Sequence, residues 1–311
     1  MNSTFLGVLS ASVLSLAAGQ AIGQSAPPAA ASPAATPATG HAVPFPHPLI
    51  TEVLFNVPTG AKGDANGDGT RDAVGDEFVE LINPHDKPID LKGYVLTDSA
   101  GWPGPTVANP EAIDAAADDA AEGASPPKPA READNKKKTP AKKPPSSKAP
   151  AAPKPGETRR GAVRFVFPSL VLKPGERVVV FNGYKQKFDG PAGGAGAAPA
   201  AKNPKFGEAF VFSMHNDSKF NSFSNTGDWV GLQSPSGEAV ETLVWGLPKT
   251  LPPKAILSEE VTADSGSVQR SAIDGPFERH QDLPGDAAGK AFSPGEFQWS
   301  AIPGKSPANP K

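Results

Sequence analysis

Residues 76–99, DEFVELINPHDKPIDLKGYVLTDS, decide how the rest of the chain is read. From Phe78 the side chains alternate, with Phe78, Glu80 and Ile82 on one face and Val79 and Leu81 on the other, the period-two pattern of a β-strand. Asn83 and Pro84 end that strand, and His85-Asp86-Lys87-Pro88 supplies turn residues. Ile89 and Leu91 resume the alternation, and Gly93 precedes a second strand, Tyr94-Val95-Leu96-Thr97. This is the grammar of an antiparallel sheet.

Upstream, Leu49-Ile50-Thr51-Glu52-Val53-Leu54-Phe55 reads as the first strand, with Ile50, Glu52 and Leu54 sharing one face. Downstream, Val163, Phe165 and Phe167 alternate with Arg164 and Val166, and Leu170-Val171-Leu172 runs into the turn Lys173-Pro174-Gly175-Glu176. Arg177 to Phe181 is wholly apolar after its first residue, as a central strand buried on both faces requires. Phe206 to Met214 adds further apolar residues. Trp229 to Gln233 and Val240 to Trp245, joined through Ser234-Pro235-Ser236-Gly237, predict a hairpin. Many short strands, turn signals between them and no amphipathic helix predict an all-β sandwich.

The 311 residues include 37 Pro and 32 Gly concentrated in a few tracts, so one globular unit is expected, shorter than the chain. Phe5 to Ala18 is an apolar run too short for the roughly 20 residues of a membrane span, with small residues at Gly19, Ala21 and Gly23 that suit a signal peptidase. Residues 1–24 are therefore assigned as a signal peptide and 25–48 as an Ala/Pro-rich disordered spacer. The sandwich is assigned to 49–300, interrupted by disordered insertions at 103–160 and 189–205, with a disordered tail at 301–311. The first insertion carries acidic residues ahead of a run with Lys136, Lys137, Lys138, Lys142 and Lys143. Its composition is that of a solvated loop, with a polyanion tether as the alternative. A net charge of -3 gives no global attraction to nucleic acid, and the absence of cysteine excludes disulfides and thiol-ligated metals.

With those elements placed, the chain resembles the lamin tail domain family. The resemblance rests on Ile50-Thr51-Glu52-Val53, Asp76 to Asn83 and Pro88 to Asp98. It continues through Leu172-Lys173-Pro174-Gly175, Ser224-Asn225-Thr226-Gly227-Asp228, Ser267-Val268-Gln269-Arg270 and Phe292-Ser293-Pro294-Gly295, all in the family's order. It implies an immunoglobulin-like antiparallel β-sandwich, exported in bacterial members to the periplasm, the cell surface or the medium. The chain is accordingly expected to be a non-catalytic interaction module for an unidentified protein or cell-surface polymer, monomeric and with no membrane span after signal cleavage.

Among candidate sites, Asp64, Asn66, Asp68, Thr70 and Asp72 occupy the first, third, fifth, seventh and ninth positions of a loop with Gly69 at the sixth. That is the spacing by which side-chain and carbonyl oxygens wrap Ca2+. Gly75 stands at the twelfth position in place of a bidentate Glu, so Asp76 and Glu77 are expected to close the shell of a structural calcium. Glu52 and Glu80 sit on apolar faces and are expected to be buried, holding loop amides or Arg270, since buried charges persist only when paired. Gly-x-Ser-x-Gly, His-Glu-x-x-His, a phosphate loop and a dinucleotide fingerprint are all missing, which disfavours an enzyme. The alternatives are a hydrolase with a loop-built site, or a carbohydrate-binding module using the loop residues Trp102 and Trp299. Trp229 and Trp245 are expected in the core.

Overall fold

A computed structural model describes residues 43–112, 161–188, 190–195, 201–258 and 266–297. The expected signal peptide, residues 25–42 of the spacer, most of the long insertion, the tail and Trp299 lie outside the described residues.

The strands, in chain order, are β1 (Leu49–Leu54), β2 (Phe78–Ile82), β3 (Ile89–Asp90), β4 (Val95–Asp98), β5 (Val107–Ala108), β6 (Arg164–Val166), β7 (Val171–Leu172) and β8 (Arg177–Phe181). There follow β9 (Lys202–Asn203), β10 (Ala209–Ser213), β11 (Gly227–Gln233), β12 (Ala239–Gly246), β13 (Thr250–Leu251), β14 (Ala255–Leu257), β15 (Val268–Arg270) and β16 (Phe277–Arg279). Seven of them form one sheet in the order β16-β15-β1-β2-β8-β10-β9, and five form the other in the order β14-β12-β11-β4-β6; β13-β5 and β3-β7 are short ribbons. The expected hairpin is β11–β12, paired antiparallel from Gly227–Gly246 to Gln233–Ala239. Val178 to Phe181 are fully buried, as expected of a central strand, because β8 lies between β2 and β10. Two ladders, β8–β10 and β12–β14, run parallel, a pairing that side-chain alternation does not register.

Val79, Leu81, Val178, Val180 and Phe212 from the larger sheet share one core with Leu96, Phe165, Val230, Leu232 and Leu243 from the smaller. Phe55 stacks on Trp245 at 4.0 Å between centroids, and Phe165 meets Phe212 at 5.3 Å. These contacts make the two layers a sandwich, and each buried aromatic contributes roughly 1.5–3 kcal/mol of transfer free energy. The larger sheet is buried on its other face as well, where Leu54, Phe78, Val179, Phe181 and Val211 pack with Phe206.

Three sequence boundaries shift. Val43 joins the main core and His47 Nδ1 meets the Tyr94 hydroxyl at 2.8 Å, so the packed chain begins before residue 49. Residues 107–109 belong to the domain, since β5 pairs β13 and Asn109 Nδ2 donates to the Pro248 carbonyl. Within the second insertion, Gly193 bridges Phe212 and β9 pairs the edge of β10. Segments this short carry no periodicity to read.

Candidate functional site

The face assignment of β1 changes at Thr51. Ile50 pairs with Leu81 and Glu52 with Glu80, leaving Thr51 as the extra residue of a β-bulge. The bulge reverses the side-chain parity of the strand. Ile50 therefore joins Val53 in the main core, whereas Glu52 and Leu54 remain on the opposite face. Glu52 and Glu80 thus become direct cross-strand neighbours, both fully buried.

Their partners are mostly scaffold donors. Glu52 Oε1 accepts from Ser267 Oγ (2.6 Å) and the Ser293 N–H (3.0 Å). Glu80 accepts from Thr51 Oγ1 (2.7 Å) at one oxygen and from the Gly295 N–H (2.5 Å) at the other. Glu52 Oε2 is buried with no hydrogen-bond partner among the described residues. Desolvation raises Glu52 to about 7; desolvation and then the charge of Glu52 raise Glu80 to about 8. His280, directly after β16, is buried beside them, with Nε2 3.9 Å from Glu52 Oε1. Its Nδ1 faces the Lys290 carbonyl at 3.0 Å and must carry the hydrogen, so Nε2 of the neutral ring accepts from Ser293 Oγ at 2.6 Å. Burial also lowers the His280 pKa, which favours that neutral form.

Arg270 is not the partner of either glutamate. It pairs with Glu241, both fully buried, and so ties β15 of one sheet to β12 of the other. Its Nε donates to the Ile50 carbonyl and its Nη1 to the Gly275 carbonyl, each at 2.8 Å, and its guanidinium lies 4.5 Å from the Phe277 ring centroid. Glu241 Oε2 accepts from the Ile50 N–H at 2.8 Å. The pair therefore serves both backbone groups of the residue before the bulge. Glu241 lies among the apolar residues of β12, and that was its only sequence signal.

The acidic loop folds as a series of turns. Asp64 Oδ2 accepts from the Gly69 N–H (2.9 Å), Asn66 Oδ1 from Asp68 (2.8 Å) and Asp68 Oδ1 from Thr70 (2.8 Å), and Asp68 Oδ2 takes the Lys187 N–H (3.1 Å). Asp72 Oδ1 accepts from the N–H groups of Val74 and Gly75, each at 2.9 Å. Asp76 closes the loop by hydrogen bonding, with Oδ1 taking the Asn66 backbone and side chain (3.0 and 2.7 Å) and Oδ2 the Asp72 N–H (2.6 Å). Burial, together with the charge of Asp64, raises Asp76 to about 6. Asp64 Oδ1 is buried with no partner among the described residues. The Glu77 carboxylate accepts from Asn182 Nδ2 (3.1 Å) and the Phe223 N–H (3.2 Å). Among the described residues no group of three His, Asp or Glu side chains is arranged to hold a metal ion.

Glu77 lies in a second buried acidic group with Asp98, the last residue of β4, and Asp228, which follows the turn into β11; their convergence gives no sequence signal. Burial raises Glu77 well above its usual range and Asp98 to about 7, and the mutual charges of the group push the same way. Asp98 accepts from Gly101 (2.8 Å), and Asp228 from Trp229 (2.9 Å) and Ser224 (3.0 Å). Trp229 and Trp245 are core residues; half-buried Trp102 stands edge-on to Trp229 at 5.1 Å. No helix among the described residues is long and apolar enough to cross a membrane. Compared with known proteins, the chain matches no family model and no curated sequence.

Proposed function

We propose that this chain is an exported, non-catalytic, immunoglobulin-like sandwich of the lamin-tail type, serving as an interaction module for a protein or cell-surface polymer and stiffened by a calcium loop. The observation that carries this reading is where the buried acids end. Glu52, Glu77, Glu80 and Asp98 terminate on amides or hydroxyls of the scaffold, as groups that hold strands and loops together do. Catalytic acids with displaced protonation would instead line an open cleft. A screen of the full chain against phosphoesters, glycosides and peptides is expected to give no turnover. Turnover abolished by His280→Ala would overturn the reading in favour of a hydrolase.

For calcium, the orphaned Asp64 Oδ1 supports the site, with the Gly69 N–H already holding the other Asp64 oxygen in place. An oxygen that accepts one N–H keeps a second lone pair, so Asn66 and Asp68 can both ligate, and Thr70 can add its carbonyl. In this arrangement Asp72 and Asp76 hold the loop, and the cation relieves the charge that raises Asp76. Calorimetric titration of calcium into the full chain is expected to give heat and a higher melting temperature, both lost in Asp64→Ala/Asp68→Ala. A parent protein with no heat and an unchanged melting temperature would remove calcium from the account.

A further inference from the structure

The last described segment, residues 291–297, lies across the carboxyl-bearing face of the larger sheet, with Phe292 packed against the cluster that contains Phe78. Two of its amides bind that face directly: Ser293 N–H on Glu52 and Gly295 N–H on Glu80. We propose that Glu52 and Glu80 form a proton-holding latch that keeps this strap against the sheet in mildly acid solution and loosens it as pH rises through neutrality.

The argument starts from geometry. Cross-strand neighbours on one face place their Cβ atoms about 4.5–5.5 Å apart, so two ionised carboxylates here would repel at short range in a dry site. Among the described residues the buried Glu52 Oε2 has no donor against it, which leaves an ionised Glu52 incompletely compensated. The surrounding charges do not remedy this. Arg177 on β8 attracts Glu80, Glu296 of the strap repels Glu52 and is itself paired to Lys290 at 2.8 Å, and neutral His280 adds no charge. Arg270 is committed to Glu241. Keeping a proton on the pair removes the repulsion.

Lifting the strap lets water reach both carboxyls and returns them toward ordinary acidity, so opening releases protons. Each proton released raises the opening constant up to about tenfold per pH unit while the closed pair remains protonated. Burial raises Glu52 to about 7 and Glu80 to about 8, so the hold is fully present below the ordinary carboxylate range and is lost as pH rises through 7–8. His280 acts in the opposite sense in acid, because its lowered affinity for protons in the closed form makes opening take one up. His280 offsets part of the glutamate effect in acid, and the strap is tighter in mildly acid than in mildly alkaline solution.

Amide hydrogen exchange of the full chain at pH 6.5 and 8.5, corrected for intrinsic rates, tests this. The protection of Ser293 and Gly295 is expected to fall at least tenfold between the two pH values and to lie below that of Val230 on β11 at pH 8.5. Glu80→Gln, which keeps an acceptor for Gly295, is expected to at least halve the logarithm of that fall; Glu52→Gln serves if the first variant does not fold. Three results would each overturn the latch: strap protection independent of pH in the parent, protection equal to that of Val230 at both pH values, or an undiminished fall in a folded variant. The parent comparison decides alone should neither variant fold.

Discussion

Replacing Arg270 by Met keeps much of the side-chain length and removes every polar contact its guanidinium makes. The native group donates to the Ile50 and Gly275 carbonyls and pairs with Glu241, at 1% exposure. Each charge-assisted hydrogen bond contributes roughly 1.5–3 kcal/mol, but bonds in one network do not add. The cost of stripping one partner from a buried pair, about 3–5 kcal/mol, is the better guide. Since a typical domain has only about 5–15 kcal/mol of total stability, this loss should move the urea midpoint substantially. Glu241→Leu in the same chain removes the stranded charge and should recover about 1–3 kcal/mol. Full recovery is not expected, because the Ile50 N–H and C=O both lose the partners the pair supplied. Equilibrium urea unfolding of the parent, both single variants and the double variant closes the cycle. A loss below about 1 kcal/mol for Arg270→Met, or strictly additive losses in the double variant, would refute the idea that this pair joins the layers and serves the bulge.

Two further outcomes follow from the same packing. Glu52, Glu80 and Asp98 are raised to about 7, 8 and 7, so the folded state holds protons that the unfolded state has released. Their stabilising contribution is fully present below the unfolded value near 4.5 and is lost as pH rises through 7–8. The urea midpoint should therefore be lower at pH 8.5 than at pH 6.5, and an equal or higher midpoint at pH 8.5 would contradict the assigned burial. Gly295 adopts φ +83°, and an added Cβ would lie 2.0 Å from the Phe206 carbonyl oxygen. Gly295→Ala should cost at least about 1 kcal/mol and loosen the strap at every pH, which thermal melting and exchange of the Ser293 amide would show.

Most strands, the β11–β12 hairpin, the central position of β8 and the core placement of Trp229 and Trp245 were legible in the chain, because alternation and turn chemistry are local signals. Local order also marked Glu52 and Glu80 as carboxylates on apolar faces. It could not show that they face each other, since that follows from a single extra residue at Thr51, and a shift of one residue sends side chains to the opposite face. Nor could it supply their partners. Ser293 reaches Glu52 across 241 positions, and Ile50 reaches Glu241 across 191. The acidic loop divides along the same line: its turns from Asp64 to Asp76 follow from neighbouring residues, whereas Glu77, one residue further on, is claimed by Asn182 and Phe223. Which residues can form a strand or turn is decided by neighbours a few positions away. Which buried charge meets which donor is decided by how two sheets and a closing segment stack, and only the tertiary structure carries that information.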